Sequence, residues 1–402
     1  MRQSDKFIAY SSIFALFTED FSFNFIVDIK LFYVIILINT VLLIYNRRFS
    51  VNKNLFLILF FFVAHGIIMS ILIDNIILSL IAQIFGISIS SFFYYSLLKA
   101  YGKNYLFELY LKFAYGIAFI AIPMLYLRIN VFKDAHRLNG ILTEPAHYAA
   151  IMLPALYVFL RQKKHFKYIL IATTIIMAKS SIGFLGLLLI IVAPMIKFKY
   201  LIKYLIVLLV VLTSGVYYVN SKWDELSNRE DDNVFVRRIK DTYESLSAGY
   251  SGDFDESVNL STYALLSNVF ITKESFKKHP LGTGLGSYTN QYEKYYELMT
   301  PPEYLLQLKL SKINMYDANS LFLRFFVDLG MFSLFLILYF FIRAIRIFKT
   351  DDRIIQQGTF FYLILKLLRE GHYFPPEFYF FLLIFLKNFD EDTTYTRGFF
   401  NG

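Results

Sequence analysis

The sequence predicts an all-α polytopic membrane protein, with about 12 transmembrane helices and one large extracytoplasmic loop. Three observations carry this. Of the 402 residues, 57% are hydrophobic and only 18% charged, and the mean hydropathy is +0.50. Apolar runs near the roughly 20 residues needed for a bilayer crossing recur from end to end. Lys/Arg-rich loops fall on every second connection, which by the positive-inside rule places both termini in the cytoplasm.

Taken in order, Phe7 to Phe17 follows Arg2 and Lys6 and reads as a first span continuing irregularly towards Val27. No small-residue cleavage site follows it, so it does not read as a signal peptide. Lys30 to Tyr45, Leu55 to Ile73, Ile76 to Leu98, Leu106 to Leu127 and Pro145 to Leu160 are the next spans. Tyr168 to Ile196 has basic loops on both sides and a polar break at Lys179-Ser180-Ser181, so it is expected to cross twice, turning near Lys179. Tyr200 to Val219 crosses outwards, Ser320 to Ile342 returns, and Phe360 to Leu368 pairs with Phe374 to Leu386. The expected domains are residues 1–219 with about nine crossings, a loop over 220–319, C-terminal helices over 320–388 and a cytoplasmic tail over 389–402.

Charge agrees with this layout. Asn220 to Ser320 holds 11 Lys/Arg against 15 Asp/Glu, a net of −4 in a chain of net +9. The excess of cations lies in short loops between spans, where it sets orientation and does not point to nucleic acid. The chain has no cysteine, which excludes disulfides and Cys-ligated zinc. No HExxH, CxxC or GxSxG occurs, so metal-hydrolase and serine-hydrolase readings have no support, and no metal is expected.

Some cations defy the orientation rule. Arg128, Lys133, Arg137, Arg324 and Arg369 fall on the side expected to lack them, which favours an anionic ligand there. Arg137-Leu-Asn-Gly140-Ile-Leu-Thr-Glu144-Pro145-Ala-His147 opens the sixth span. Pro145 suits the first helical turn, which puts Glu144 at the N-cap and His147 three residues on, where the two side chains can share a face. Arg369 and His372 flank the last turn between spans. Arg324 and Asp328, four apart, can neutralise each other.

The loop contains His279-Pro-Leu-Gly282-Thr-Gly284-Leu-Gly286-Ser-Tyr288. The spacing is not GxGxxG and no βαβ unit surrounds it, so the glycines predict a tight turn or backbone lying close to a ligand. Arg237-Arg238 reads as a solvated helix face.

These residues resemble a known family. Arg137-x-x-Gly140-x-x-x-Glu144-Pro145, Ala178-Lys-Ser-Ser181-Ile-Gly183, Pro280 to Tyr288, Asp317-Ala-Asn-Ser320-Leu-Phe-Leu-Arg324 and Arg369-x-Gly371-His372-Tyr373 are similar, in order and spacing, to Wzy-type O-antigen polymerases and the related O-antigen ligases. Two positions depart from the pattern: Ala318 stands where ligases often carry a functional histidine, and Ser181 where arginine is common.

The resemblance implies a metal-independent, cofactor-free membrane glycosyltransferase at the outer face of the cytoplasmic membrane. It would move a growing glycan from undecaprenyl pyrophosphate onto a lipid-linked repeat unit, for lipopolysaccharide or related polysaccharide. Membrane lipid, a chain-length regulator and a flippase are the implied partners. Arg137, Arg369 and Arg324, with Gly282, Gly284 and Gly286, are the expected substrate-binding residues, and Glu144, His147 and His372 the candidate bases. The alternatives are a ligase of the same superfamily and a lipid-linked oligosaccharide flippase. A flippase is expected to show related halves, which the sequence lacks, and rarely needs so long a loop. A sensor or scaffold would fit the loop but not the charges at membrane depth.

Overall fold

The structure, a computed structural model, describes residues 2–18, 21–24, 28–73, 77–129, 137–192, 245–373 and 375–387, with isolated positions between 206 and 221. The expected span over Tyr200 to Val219, most of its neighbour loop up to 244, Lys133, Arg237-Arg238 and the tail 389–402 lie wholly or largely outside the described residues. What is described is overwhelmingly helical. Three helices are long and apolar enough to cross a membrane: Lys53–Ile73, Ile77–Tyr101 and Lys103–Tyr126. Leu31–Tyr45, His165–Met177 and Ser181–Val192 are shorter apolar helices.

The N-terminus departs from the expected irregular span. Helix Gln3–Phe14 tightens into a 3-10 turn at Ala15–Phe17, and the chain then forms an antiparallel pair, Ser22–Asn24 with Asp28–Lys30, before helix Leu31–Tyr45. Arg48 pairs with the buried Asp5 at 3.1 Å, and Tyr101 donates to the same carboxylate, which ties the first helix to helix Ile77–Tyr101 and to the segment that follows helix Leu31–Tyr45.

The chain divides into two compact units, one of residues 1–65, 81–193 and 339–402, the other of residues 66–80 and 194–338. The first is built around helix Pro145–Arg161, which is buried along nearly its whole length. Small residues let its neighbours approach. A Cβ on Gly358, in helix Ile354–Arg369, would stand 3.1 Å from the Pro154 carbonyl, and one on Gly183 would stand 2.9 Å from the Ala149 methyl. Close backbone approach of this kind is how helices associate where no hydrophobic effect drives them together. Side-chain hydrogen bonds supplement it. Tyr110 donates to the Ile151 carbonyl in the turn that Pro154 disturbs, and Tyr157 donates to Gln357 at 2.6 Å. Gln357 in turn donates to the carbonyls of Ile347 and Thr350.

In the second unit the described part of the hydrophilic segment, residues 245–319, is folded. Helices Leu260–Lys278, Tyr288–Tyr296 and Leu321–Leu329 share a core rich in tyrosine, including Tyr263, Tyr288, Tyr292 and Tyr295. Buried hydroxyls favour a partner: Tyr288 donates to Asn268, Tyr263 to the Ser311 carbonyl, and the half-buried Tyr304 to the Val258 carbonyl, while the Tyr295 hydroxyl has none among the described residues. The expected single span over Ser320 to Ile342 is instead two helices, Leu321–Leu329 and Phe332–Phe348, parted at Gly330 with φ +57°.

Candidate functional site

Helix Pro145–Arg161 begins as its sequence predicts, with Glu144 in an extended N-cap conformation and proline in the first turn. The Glu144 side chain caps nothing and is exposed. It does not pair with His147. That histidine turns inwards, and its Nε2 lies 2.8 Å from Oε1 of Glu377, a carboxylate with no exposed surface.

Glu377 stands at the start of helix Phe378–Leu386 and gathers a cluster. Tyr362 donates to the same Oε1 at 2.6 Å, and the Lys366 ammonium lies 3.8 Å away. Lys366, itself 1% exposed, also pairs with Glu370 one turn on. Three helices thus bring five ionisable groups together in an apolar interior. Such groups are costly there and mark function by default. Sequence reasoning named only His147 among them. The signal was present, however: Lys366 interrupts an apolar run, and Glu377 follows Pro375-Pro376 directly at the start of another.

The other candidates of this unit lie around the cluster's chain segments. Arg369 ends helix Ile354–Arg369, one turn beyond Lys366, and has no ion pair among the described residues. His372 is exposed just after it. Arg137 has a different engagement from the one expected. Its Nε donates to the Ala178 carbonyl at 3.2 Å and its Nη2 to the Lys179 carbonyl at 3.1 Å. Leu138 N–H donates to Met177, so residues 137 and 138 together cap the carboxyl end of helix His165–Met177. The corner there, with Lys179 at φ +48°, is the expected break before helix Ser181–Val192.

In the second unit the glycine segment forms a tight turn. Gly282, Gly284 and Gly286 all have positive φ, between +85° and +95°. Their N–H groups are engaged within the unit: Gly282 donates to His279, Gly284 to the Asp328 carbonyl and Gly286 to the Asp328 carboxylate. Asp328 also accepts from the Ser287 hydroxyl and lies 3.7 Å from Arg324. Asp328 is therefore more than a counter-ion for Arg324, since it anchors the whole turn. The half-buried His279 at the head of this segment is held below the usual histidine range by desolvation, with Lys294 and Lys278 adding repulsion.

Among the described residues no group of three or more His, Cys, Asp or Glu could hold a metal ion.

Fold and site together define a helical protein of membrane type with a buried ionisable cluster. Residues 166–338 match the family model described as O-antigen ligase. The match supports a likeness to the O-antigen ligase and polymerase superfamily, whose members are membrane glycosyltransferase-like enzymes, without separating the two branches. No curated protein matches the chain, and no solved structure does.

Proposed function

We propose that the protein is a membrane glycosyltransferase that moves a glycan from undecaprenyl pyrophosphate onto a lipid-linked repeat unit at the outer face of the cytoplasmic membrane, as an O-antigen polymerase does. The observation that carries this reading is the family match over residues 166–338, which takes in the Lys179 corner, the glycine turn and the Arg324 helix. The chemistry suits the residues. A lipid pyrophosphate is already an activated leaving group, so the protein need only hold its charge and accept a proton from the attacking hydroxyl. Arg369, with no ion pair among the described residues, is the group we assign to the pyrophosphate, and His147 the one we assign to the proton. Arg137 holds the corner at Lys179 through the Ala178 and Lys179 carbonyls.

Ligase activity is the second reading, favoured by the description of the matched family. Against it stands Ala318, where ligases often carry histidine.

Deleting the gene and restoring it on a plasmid distinguishes the two. Loss of the polymerase leaves lipid A-core bearing one repeat unit, because single units are still ligated. Loss of the ligase leaves core with no repeat and long polymer stranded on the carrier. Trapping of unpolymerised units on the cytoplasmic face would instead identify a flippase and overturn both.

A further inference from the structure

We infer that the segment Leu306 to Tyr316 is a membrane-surface anchor. Its outward leucines and tyrosine enter the headgroup–acyl boundary of an anionic bilayer, and Lys309 and Lys312 meet the lipid phosphates. This goes beyond the function proposed above and does not depend on it.

The segment is apolar where it faces out. Leu306, Leu308, Leu310 and Tyr316 are 49%, 62%, 36% and 68% exposed. Single exposed leucines are ordinary on a protein surface, but four large apolar side chains within eleven residues are not scattered singly. Nor can the segment roll over to hide them. Leu305 already fills the core with no exposed surface. Helix Glu303–Gln307 is closed by Lys309 N–H donating to Leu306 and Leu310 N–H donating to Leu305, with Lys309 in the left-handed region at φ +56°. Glycine fills that position at least cost, so a lysine there carries a backbone penalty. Further on, the Ser311 carbonyl accepts from Tyr263, and Tyr304 donates to the Val258 carbonyl. The leucines are thus presented from a fixed backbone.

Charge names the occupant. Between Asn220 and Ser320 acids outnumber bases 15 to 11, yet Tyr304 to Tyr316 holds Lys309 and Lys312 and no acid. Both lysines are exposed, and neither makes an ion pair among the described residues. Lysine stems lie along apolar surface while their ammoniums stay at the polar level, and tyrosine favours the same interface. Apolar side chains below and cations at phosphate level are the pattern of a segment lying on an anionic bilayer. Its place in the chain agrees. The apolar helix Phe332–Phe348, which the sequence reads as part of the return span, begins 16 residues after Tyr316. The break at Gly330 lets the chain before it follow the bilayer surface while the helix after it crosses.

The chain has no cysteine, so a single nitroxide reports from one known place. Leu308→Cys and Tyr316→Cys are spin-labelled, with Glu293→Cys on the exposed side of helix Tyr288–Tyr296 as the reference. Leu308 and Tyr316 are exposed, so cysteine there removes no packing of the core. The full-length protein is placed in vesicles of phosphatidylglycerol and phosphatidylcholine. Labels at 308 and 316 are expected to collide more with oxygen, which concentrates in the bilayer, than with a water-soluble nickel chelate. The label at 293 is expected to do the reverse. Lys309→Glu combined with Lys312→Glu should raise nickel collision at 308 several-fold in these vesicles and change it little in phosphatidylcholine alone. Labels at 308 and 316 that favour nickel as strongly as the one at 293 overturn the anchor. Shielding that disappears as the protein is diluted with lipid identifies a second copy as the cover, and overturns it too. Oxygen-rich labels that the double charge reversal leaves unmoved overturn the anionic lipid as the occupant.

Discussion

A β-carbon on Gly282 would stand 2.6 Å from the backbone nitrogen of Gly330 and 2.5 Å from the carbonyl carbon of Leu329. Two segments about fifty residues apart thus meet main chain to main chain, stitched by hydrogen bonds from Thr283 N–H to Val327 and from Met331 N–H to Pro280. Nothing there is a flexible side-chain end that can move aside.

Gly282 and Gly284 therefore differ in what alanine does to them. Gly282→Ala combines a positive φ with collision against backbone and is expected to lower stability by more than about 3 kcal/mol. Gly284→Ala keeps the φ penalty, but its nearest contacts lie at 3.4 Å, so a loss of about 1–2 kcal/mol is expected. Thermal unfolding in detergent ranks the two. Equal losses would mean that the turn tolerates displacement.

Arg137→Lys replaces a planar fork that reaches two carbonyls with a point charge. A stability loss of about 1–2 kcal/mol is expected, from the hydrogen bonds of a charged donor. Product chain length should follow the amount of inserted protein. Loss of all long chains at normal abundance would instead give Arg137 a direct hold on the pyrophosphate.

For Arg369 the expectation is reversed. Arg369→Lys should cut glycan transfer by more than about tenfold, because an ammonium does not grip a phosphate bidentately. Stability should change by less than about 1 kcal/mol, since the half-buried Arg369 makes no ion pair among the described residues that lysine would break. Normal transfer by this variant would remove Arg369 from the site.

His279 predicts an acid sensitivity in the second unit. Its Nε2 is buried without a hydrogen-bond partner among the described residues, and burial lowers its folded-state pKa. As pH falls through the unfolded value of about 6.5, the unfolded chain takes up the proton first. Stability is thus full above that value and declines below it until the folded histidine also titrates. His279→Gln should flatten the fall of the unfolding temperature between about pH 7 and pH 5.5 relative to wild type. Parallel curves for the two proteins would exclude the effect.

Orientation is tested by reporter fusions. Lys53, Lys103, Lys164 and Lys349 are expected to report inside and Gly252 outside. A cytoplasmic Gly252 would overturn the assignment of the site to the outer face.

What the sequence made legible was local. Proline after a polar residue marked the start of helix Pro145–Arg161, the Lys179 break marked a corner, and alternating glycines marked a turn, because each is fixed by backbone chemistry within a few residues. The i,i+4 pair of Arg324 and Asp328 was legible for the same reason. The break at Gly330 was not, since an apolar run across it reads as one span, and only the approach of Gly282 from elsewhere shows why the helix ends. Nor was the partner of His147. Glu144 is three residues away and Glu377 is 230, and no periodicity links positions so distant.

The separation of His147 from Glu377 also orders the protein's birth. At about 5–20 residues per second, a ribosome needs roughly 10–50 s to travel from one to the other. For most of that interval helix Pro145–Arg161 has neither its carboxylate nor the Gly358 surface that encloses it. The nascent bundle must wait with its most polar seam open, and the last of the described helices to emerge is the one that closes it.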